Sequence, residues 1–412
     1  MKTIYDAIII GAGASGLACA ISAARSGKHV LVLEKNKKPG KKLYATGNGK
    51  CNLTNKLIDT RICYVSGNPD YERFLGAFFA GGDLCAAVCT FFNSIGIQTV
   101  ALGDYVYPAS EQASSVVWAM LDELKRFDVN IETSGEVTEI KKQDDLFFLK
   151  TASDTYSCKK VVLATGGKSY PSLGGSESGY ELCKGLGVEM TDTYPALCGF
   201  TINKPAHFEL LKGLRVKGIV SSVHASGLTV RREKGEVQFT EDGLSGIVCM
   251  NATCVLPARL SLNLIPAFSD DIADTFLAGA KEENGLYAGR FKDRTLIGFL
   301  NGYLPDKLCE YLVLTAGYER QTTCGELNSE SLLSLIRSAA DITFEINGLF
   351  GYEKAQVTAG GIDLSEVDPN TMELVNHRGI HATGELLDIT GICGGYNLTF
   401  AFLSGIRAGV SL

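Results

Sequence analysis

The segment that most constrains this chain is Gly11-Ala12-Gly13-Ala14-Ser15-Gly16, which lies between a predicted strand and a predicted helix. The preceding run Tyr5–Ile10 is apolar and β-branched, as in a buried parallel strand. The following run Leu17–Ser26 is typical of a helix, and a second apolar run, His29–Leu33, ends at Glu34. This order predicts a βαβ unit that binds a dinucleotide.

Each glycine of the segment has a separate predicted role. Gly11 allows the tight turn, Gly13 lets a pyrophosphate approach the backbone, and Gly16 lets the helix pack on the strand. The phosphates then lie at the helix N-terminus, which includes Ala14 and Ser15. Glu34 lies 18 residues after Gly16, where a carboxylate can accept both hydroxyls of the adenosine ribose. The same charge repels a 2′-phosphate and so disfavours NADP in this site.

The loop at residues 39–52 favours FAD over NAD as the dinucleotide. It is rich in glycine, amide and cationic side chains, which suit an extended flavin dinucleotide with two phosphates. The first fifty residues carry nine Lys or Arg against two acids, and much of that excess lies in this loop. The alternative interpretation is an ordinary solvated basic loop.

In the middle of the chain, the pattern predicts strands that bring the backbone back to the cofactor, followed by inserted domains. Residues 135–140 and 146–151 are predicted antiparallel strands, and the next strand ends at residues 164–166 near the adenine side. Short runs at 218–224, 228–231 and 237–240, separated by turn residues, predict an antiparallel β domain. Residues 269–337 have helical periodicity.

The last sixty residues are again rich in glycine. Gly384-Glu385 ends a predicted strand and places a carboxylate beside the ribityl chain or pyrophosphate. The predicted final helix, 398–408, follows Gly394-Gly395-Tyr396-Asn397. The positive end of its dipole can face the N1/O2 edge of a flavin, where negative charge develops on reduction. A helix that served only for packing would give no reason for paired glycines at its start.

Together these motifs resemble the bacterial three-domain FAD flavoproteins, which include aminoacetone oxidase-like and bile-acid reductase-like members. The resemblance implies an α/β fold with a Rossmann-type, two-dinucleotide-binding FAD domain (1–192 and 352–412). It implies an inserted antiparallel β domain on the substrate side (193–267 and 341–351) and an inserted helical domain (268–340). The chain departs from the family at Glu241, where relatives commonly carry His.

The motifs and the resemblance together predict a set of cofactor contacts, while no catalytic residue is assigned. The predicted FAD-binding residues are Gly11, Gly13, Ala14, Ser15, Gly16, Glu34, Lys35, Lys42, Thr46, Gly47, Asn52, Val137, Ala164, Thr165, Gly166, Gly361, Gly384, Glu385, Asp388, Gly394, Gly395, Tyr396 and Asn397.

The predicted function is an FAD-dependent oxidoreductase that passes a hydride between a small substrate and flavin N5. The resemblance favours a primary amine such as aminoacetone, with O2 reoxidising the flavin. One alternative is a reductase of an unsaturated substrate, with NAD(P)H as a transient reductant, and another is a non-catalytic flavin-binding sensor. The sequence has no second G-x-G-x-x-G and no C-x-x-C, which argues against a dedicated nicotinamide domain and a dithiol relay.

Charge and cysteine content indicate which kinds of partner and which cell compartment to expect. A net charge of −7 gives no global field for nucleic acid, so no nucleic-acid partner is expected. The uncharged run 7–24 contains three glycines among its first ten residues, which argues against a membrane span. Thirteen cysteines without a C-x-x-C pair predict reduced thiols and a cytoplasmic protein. Isolated histidines predict no metal site, and the oligomeric state is left open.

Overall fold

A computed structural model describes residues 3–80, 82–265 and 291–412. The chain forms two compact units: Met1–Ala196 with Gly351–Leu412, and Leu197–Phe350. The predicted boundary between the β and helical domains, at residues 267 and 268, lies outside the described residues, and the division into three domains stays a prediction.

The strands and helices are numbered in chain order. The strands are β1 (Ile4–Ile10), β2 (Val30–Glu34), β3 (Thr54–Asn55), β4 (Tyr64–Val65), β5 (Thr99–Leu102), β6 (Tyr105–Pro108), β7 (Asn130–Thr133), β8 (Glu139–Gln143), β9 (Leu146–Lys150), β10 (Thr155–Leu163), β11 (Tyr194–Ala196), β12 (Phe200–Ile202), β13 (Arg215–Val223), β14 (Thr229–Phe239), β15 (Gly243–Ser245), β16 (Arg259–Asn263), β17 (Ile342–Leu349), β18 (Val357–Ala359), β19 (Ile380–Ala382) and β20 (Thr390–Gly391). The helices are α1 (Ala14–Arg25), α2 (Thr60–Cys63), α3 (Tyr71–Phe78), α4 (Leu84–Ser94), α5 (Ala113–Arg126), α6 (Ser178–Leu186), α7 (Ile247–Ala252), α8 (Leu296–Leu300), α9 (Asp306–Thr315), α10 (Ser329–Arg337) and α11 (Tyr396–Ser411).

The first unit is built on a mixed sheet with the strand order β7-β2-β1-β10-β9-β8, and β19 also pairs with β10. The pairs β2–β7, β1–β2, β1–β10 and β10–β19 are parallel, whereas β8, β9 and the first part of β10 form an antiparallel meander. Strand β2 is fully buried, and so are residues 7–10 of β1 and 161–163 of β10, as their continuous apolar runs predict. This is the predicted Rossmann-type sheet with its meander.

Helices α1 and α11 pack closely through glycines of the tail. A Cβ on Gly405 would overlap the carbonyl oxygen of Ser15, and one on Gly409 would overlap that of Cys19. These two glycines therefore serve helix–helix packing, so the glycine surplus of the tail has a structural component besides its predicted cofactor role.

The second unit contains a closed barrel with the strand order β12-β15-β14-β13-β16-β17. Phe200, Phe239 and Phe344 are buried in its interior, and apolar residues of α8, α9 and α10 belong to the same core. The predicted antiparallel β structure is present in this unit, and helices are present from Leu296 onward. Residues 269–290 of the predicted helical run 269–337 lie outside the described residues.

Two predicted strands differ from the structure. Strand β8 begins at Glu139 and not at 135, because the N–H of Gly135 donates to the carbonyl oxygen of Glu34 at 3.0 Å. Gly135 therefore belongs to the connection between β7 and β8. All but the end residues 228 and 240 of the predicted runs 228–231 and 237–240 lie in one continuous strand, β14. Exposed and half-buried residues alternate along it from Val230 to Glu236. The final helix also starts earlier, at Tyr396.

The thirteen cysteines all lie in the described part of the chain, and all are free thiols. Among the described helices, none is long and apolar enough to span a bilayer.

Candidate cofactor site

Four parallel strands of the first unit end at one edge of the sheet. Ile10 pairs with both Leu33 and Leu163, and Leu163 pairs with Ala382. The residues at or just after these strand ends therefore lie side by side, although they are separated by up to several hundred positions in sequence. They are Gly11, Glu34, Ala164 and Thr383. This edge is where open α/β sheets bind nucleotides.

The turn between β1 and α1 is shaped by two glycines and left open by a third. Gly11 has a φ of +107°, and a Cβ there would overlap the carbonyl oxygen of Ala164. A Cβ on Gly16 would overlap the carbonyl oxygen of Gly11. At Gly13, which caps α1 in an extended conformation, a Cβ would meet no atom within 4 Å. Gly11 and Gly16 are thus required by the fold, whereas Gly13 keeps free space in front of the helix N-terminus.

The carboxylate of Glu34 is held at this edge by three hydrogen bonds. The backbone N–H of Ala12 donates to Oε2 at 2.8 Å. The backbone N–H and the side-chain amide of Asn36 both donate to Oε1 at 2.7 Å. Glu34 is only 6% exposed, so its charge lies beside the glycine-rich turn and away from bulk solvent. Lys35, the next residue, donates to the hydroxyl of Ser176.

The end of β10 contributes a second open turn. The backbone N–H of Ala164 donates to the carbonyl of Ile10 at 2.9 Å, which fixes it beside the first turn. Thr165 has a buried hydroxyl with no hydrogen-bond partner among the described residues. Gly166 has a φ of +71° and open space where a Cβ would be.

Val137, another predicted cofactor residue, lies in the segment before β8 and is buried.

Glu385 joins the basic loop to the tail of the chain. Its Oε2 lies 2.9 Å from the ammonium group of Lys42, and its Oε1 accepts the backbone N–H of Thr358 at 2.9 Å. The preceding residue, Gly384, has a φ of +68°, and its N–H donates to Ser404 Oγ at 3.0 Å. A Cβ on Gly384 would lie 2.7 Å from the hydroxyl of Ser15 in α1. The basic loop, α1 and the tail therefore meet here.

The basic loop itself has an ordered conformation. The hydroxyl of Thr46 donates to the carbonyl of Leu43 at 2.7 Å, and Gly47 has a φ of +55°. A Cβ on Gly47 would lie 2.8 Å from the backbone nitrogen of Asn52. The loop therefore folds back on itself, which is unlike a freely solvated basic segment.

The N-terminus of α11 is packed against Asn52 at the end of this loop and against β3, which follows it. Gly395 caps the helix with a φ of +93°, and a Cβ there would lie 3.0 Å from the carbonyl of Thr54. Asn397 accepts the N–H of Gly391 at 2.8 Å and donates to its carbonyl at 2.6 Å. Asn55 donates to the carbonyl of Gly394 at 3.0 Å. The side chain of Asn397 thus shapes the helix start.

Tyr396 is anchored at both its side chain and its backbone. Its hydroxyl donates to the carbonyl of Leu57, and its carbonyl accepts the hydroxyl of Tyr64, each at 2.9 Å. Its ring is therefore fixed by the protein's own groups.

Two predicted cofactor residues are engaged by other segments. Asp388 accepts the hydroxyl of Ser66 at 3.0 Å and the N–H of Gly67 at 2.9 Å, and burial raises the pKa of its carboxyl group. The carbonyl of Gly361 accepts the backbone N–H of Thr191 at 2.8 Å, and the N–H of Gly361 donates to the hydroxyl of Thr191 at 3.1 Å. Both residues tie chain segments together, and their role in cofactor binding stays a prediction.

Thr383 is a polar residue at this edge that the sequence did not single out. It is completely buried, and its hydroxyl has no hydrogen-bond partner among the described residues. The buried side-chain oxygens of Asn52 and Thr165 share this property. Buried polar groups almost always have partners. Three such atoms, together with the open space at Gly13, fit a large polar ligand such as FAD. The only sequence signal for Thr383 was its place between a strand and Gly384.

Glu241, which stands where the resemblance leads one to expect His, lies in the second unit. Its carboxylate is 69% exposed and pairs with Lys212 at 2.8 Å, and this ion pair lowers its pKa. Its contacts are those of a surface ion pair.

The comparison with known proteins decides the family. The model of the family described as HI0933-like protein Rossmann domain matches residues 5–411. The chain belongs to this family. It is 34% identical, over 97% of both chains, to the 3-dehydro-bile acid delta(4,6)-reductase of Clostridium scindens. It is 33% identical to the ribosomal RNA dihydrouridine synthase of Escherichia coli, over 97% of this chain and 96% of that one.

A solved structure with a similar chain is a 3-ketosteroid-delta4-(5alpha)-dehydrogenase from Rhodococcus jostii, with a TM-score of 0.46 and 17% identity over 100% of this chain and 97% of that one. As a member of the HI0933-like family, this protein is an FAD-dependent oxidoreductase, as the sequence motifs predicted.

The substitution Glu34→Gln is expected to weaken FAD binding by about 1–3 kcal/mol, because it removes a charge-assisted acceptor for the ribose hydroxyls. The substitution also places the amide NH2 group of glutamine opposite the N–H donor of Ala12 or Asn36, so one of these donors loses its acceptor. The dissociation constant of FAD, measured by flavin fluorescence on deflavinated protein, should rise about 5- to 150-fold. Glu139→Gln, at an exposed carboxylate on β8, is the matched control. Equal affinities for all three proteins would contradict the role given to Glu34.

Proposed function

We propose that this protein reduces a carbon–carbon double bond conjugated to a carbonyl group in a small molecule, with NAD(P)H as the electron source. The observation that supports this most is the match to the Clostridium reductase along 97% of both chains. The name of that relative describes reduction of a 3-keto compound at conjugated double bonds. Dihydrouridine, in the name of the second relative, is uridine reduced at a double bond that is also conjugated to a carbonyl.

The proposed reaction is balanced by one NAD(P)H and one proton. The π bond of the substrate breaks, a hydride forms a C–H bond at the carbon β to the carbonyl, and a proton forms one at the α carbon. NAD(P)⁺ is the oxidised product. FAD, when bound, supplies two-electron hydride exchange at its N5 atom.

The residues of the first unit would orient the cofactor for this exchange. Glu34 would accept the adenosine ribose hydroxyls, and the N-terminus of α1 at Gly13 would bind the pyrophosphate. Lys42, which neutralises Glu385 in this structure, carries a charge that the phosphates can share. The start of α11, held by Asn397, would direct a positive dipole end at the flavin edge that becomes negative on reduction.

Anaerobic stopped-flow mixing tests the electron donor. We expect NADH or NADPH to bleach the visible flavin absorbance of the holoprotein, and aminoacetone to leave it unchanged. Bleaching by aminoacetone and not by NAD(P)H would replace the proposal with the amine oxidase that the family resemblance favours. Bleaching by neither would favour the flavin-binding sensor.

The reduced protein then tests the acceptor. A 3-keto-4,6-diene bile acid is expected to reoxidise the flavin anaerobically, with one equivalent of the reduced product. Reoxidation by a ribosomal RNA fragment and not by the steroid would overturn the small-molecule part of the proposal.

A further inference from the structure

Strand β10 changes its partner along one side, and a cavity opens where it does so. Residues 155–158 pair with β9, whereas residues 161–163 pair with β19. The change occurs at Lys159 and Lys160, several residues before the strand end that forms the cofactor edge. A cavity of about 290 Å³ opens there, lined by Lys142, Asp145, Phe147, Lys159, Lys160, Glu373, Arg378 and Gly379.

The cavity is rich in cations that are held by neutral groups. Lys142 donates to the carbonyl of Arg378 at 3.3 Å, and its ammonium lies 5.1 Å from the centre of the Phe147 ring. Lys160 donates to the carbonyl of Ser411 at 3.0 Å. None of the ion pairs within the described ranges includes Lys142, Lys160 or Arg378. Their positive charges are therefore not neutralised by direct ion pairing.

The remaining charges of the cavity are partly engaged. Lys159 pairs with Asp6 at 2.8 Å, outside the cavity lining. Glu373 accepts the N–H of Gly379 at 2.7 Å, which fixes one of its oxygens on the backbone. Of the two lining carboxylates, Asp145 is therefore the one whose negative charge would most repel a bound anion. Three unpaired cations face two carboxylates, and the cavity favours a ligand of negative charge.

We propose that this cavity binds a small phosphate-bearing anion at a site separate from the cofactor site. The planar guanidinium of Arg378 suits two phosphate oxygens, and the ammonium groups of Lys142 and Lys160 act as point charges on the others. The volume, close to the lower limit of small-molecule pockets, suits inorganic phosphate, pyrophosphate or a small phosphorylated metabolite.

Calorimetric titration of the FAD-loaded protein with inorganic phosphate and with pyrophosphate tests this site, because bound FAD fills the other phosphate site of the first unit. We expect saturable binding that Arg378→Gln and Lys142→Gln each weaken about tenfold through loss of a charge-assisted contact. Asp145→Asn should tighten binding, since it removes the opposing charge. Lys141→Gln is the matched control, because Lys141 pairs with Glu139 and does not line the cavity.

The signs of these changes decide the proposal. Weaker binding in the first two variants, tighter binding in Asp145→Asn and an unchanged control would support it. Absence of saturable binding to wild-type protein, or equal binding by wild type and Arg378→Gln, would overturn it. Thermal unfolding of each variant shows that it is folded, and saturation by pyrophosphate alone identifies a diphosphate ligand.

Discussion

The Gly13→Val variant is expected to fold and to be purified without FAD. The backbone at Gly13 has a φ of −85°, which valine can adopt, and a Cβ there would meet no protein atom within 4 Å. The space that the valine side chain fills is the space in front of the first turn of α1, where the pyrophosphate has to approach the backbone. We expect FAD affinity to fall about 100-fold or more, which equals about 2.7 kcal/mol. Flavin absorbance of the purified protein and titration with FAD measure it.

Gly76→Val is the matched control for this variant. Gly76 lies in α3 and also has open space where a Cβ would be, so the same side chain is added without affecting the cofactor edge. This variant should keep its flavin. Retention of a full complement of FAD by Gly13→Val, with normal absorbance, would contradict the placement of the pyrophosphate at α1.

The second large expected effect is a loss of stability in acid that depends on His381. This residue lies in β19, is 1% exposed, and has an Nδ1 atom without a hydrogen-bond partner among the described residues. Burial, with a smaller contribution from Lys160, lowers its pKa from 6.5 to about 4. Between these values the unfolded chain binds a proton that the folded protein excludes, so the free energy of unfolding falls as the pH falls from about 6.5 to about 4.

The expected contribution of His381 to this loss is about 3 kcal/mol at pH 4. Urea unfolding followed by the fluorescence of Trp118, the single tryptophan of the chain and part of the same unit, measures it at pH 7 and at pH 4.5. The His381→Leu variant should lose less stability between the two pH values than wild type. His224→Leu, at an exposed histidine of the second unit, should behave as wild type. An identical pH dependence in all three proteins would contradict a neutral buried His381.

The βαβ unit could be predicted from the sequence because its signals are local. The strand before Gly11, the helix after it and Glu34 at the end of the next strand each depend on neighbouring residues, and the structure has all three. The presence of a final helix after the paired glycines was predicted for the same reason, although α11 begins at Tyr396, two residues before the predicted start.

Features that depend on distant contacts could not be predicted in this way. Gly405 and Gly409 are glycines because α11 lies against Ser15 and Cys19 of α1, and no local pattern reveals that contact. Asp388 was predicted to contact the cofactor, but whether it faces a ligand or Ser66 depends on the pairing of β20 with β4. Thr383 can be recognised as a candidate only from the structure, which shows that its hydroxyl is buried and has no hydrogen-bond partner among the described residues.

The continuous strand β14 was misread for a different reason. Its residues 231–236 are mostly charged and include Gly235, a composition typical of a turn. The strand is maintained by pairing with β13 along its length, and the charged side chains alternate toward solvent. Tertiary pairing therefore overrides the local turn signal.

A crystal structure of the FAD-bound protein tests the cofactor site most directly. We predict the pyrophosphate at Gly13, the adenosine ribose hydroxyls within hydrogen-bond distance of Glu34, and the isoalloxazine ring beside Gly395 at the start of α11. A flavin whose phosphates lie away from the N-terminus of α1, or whose ring lies away from α11, would contradict this assignment.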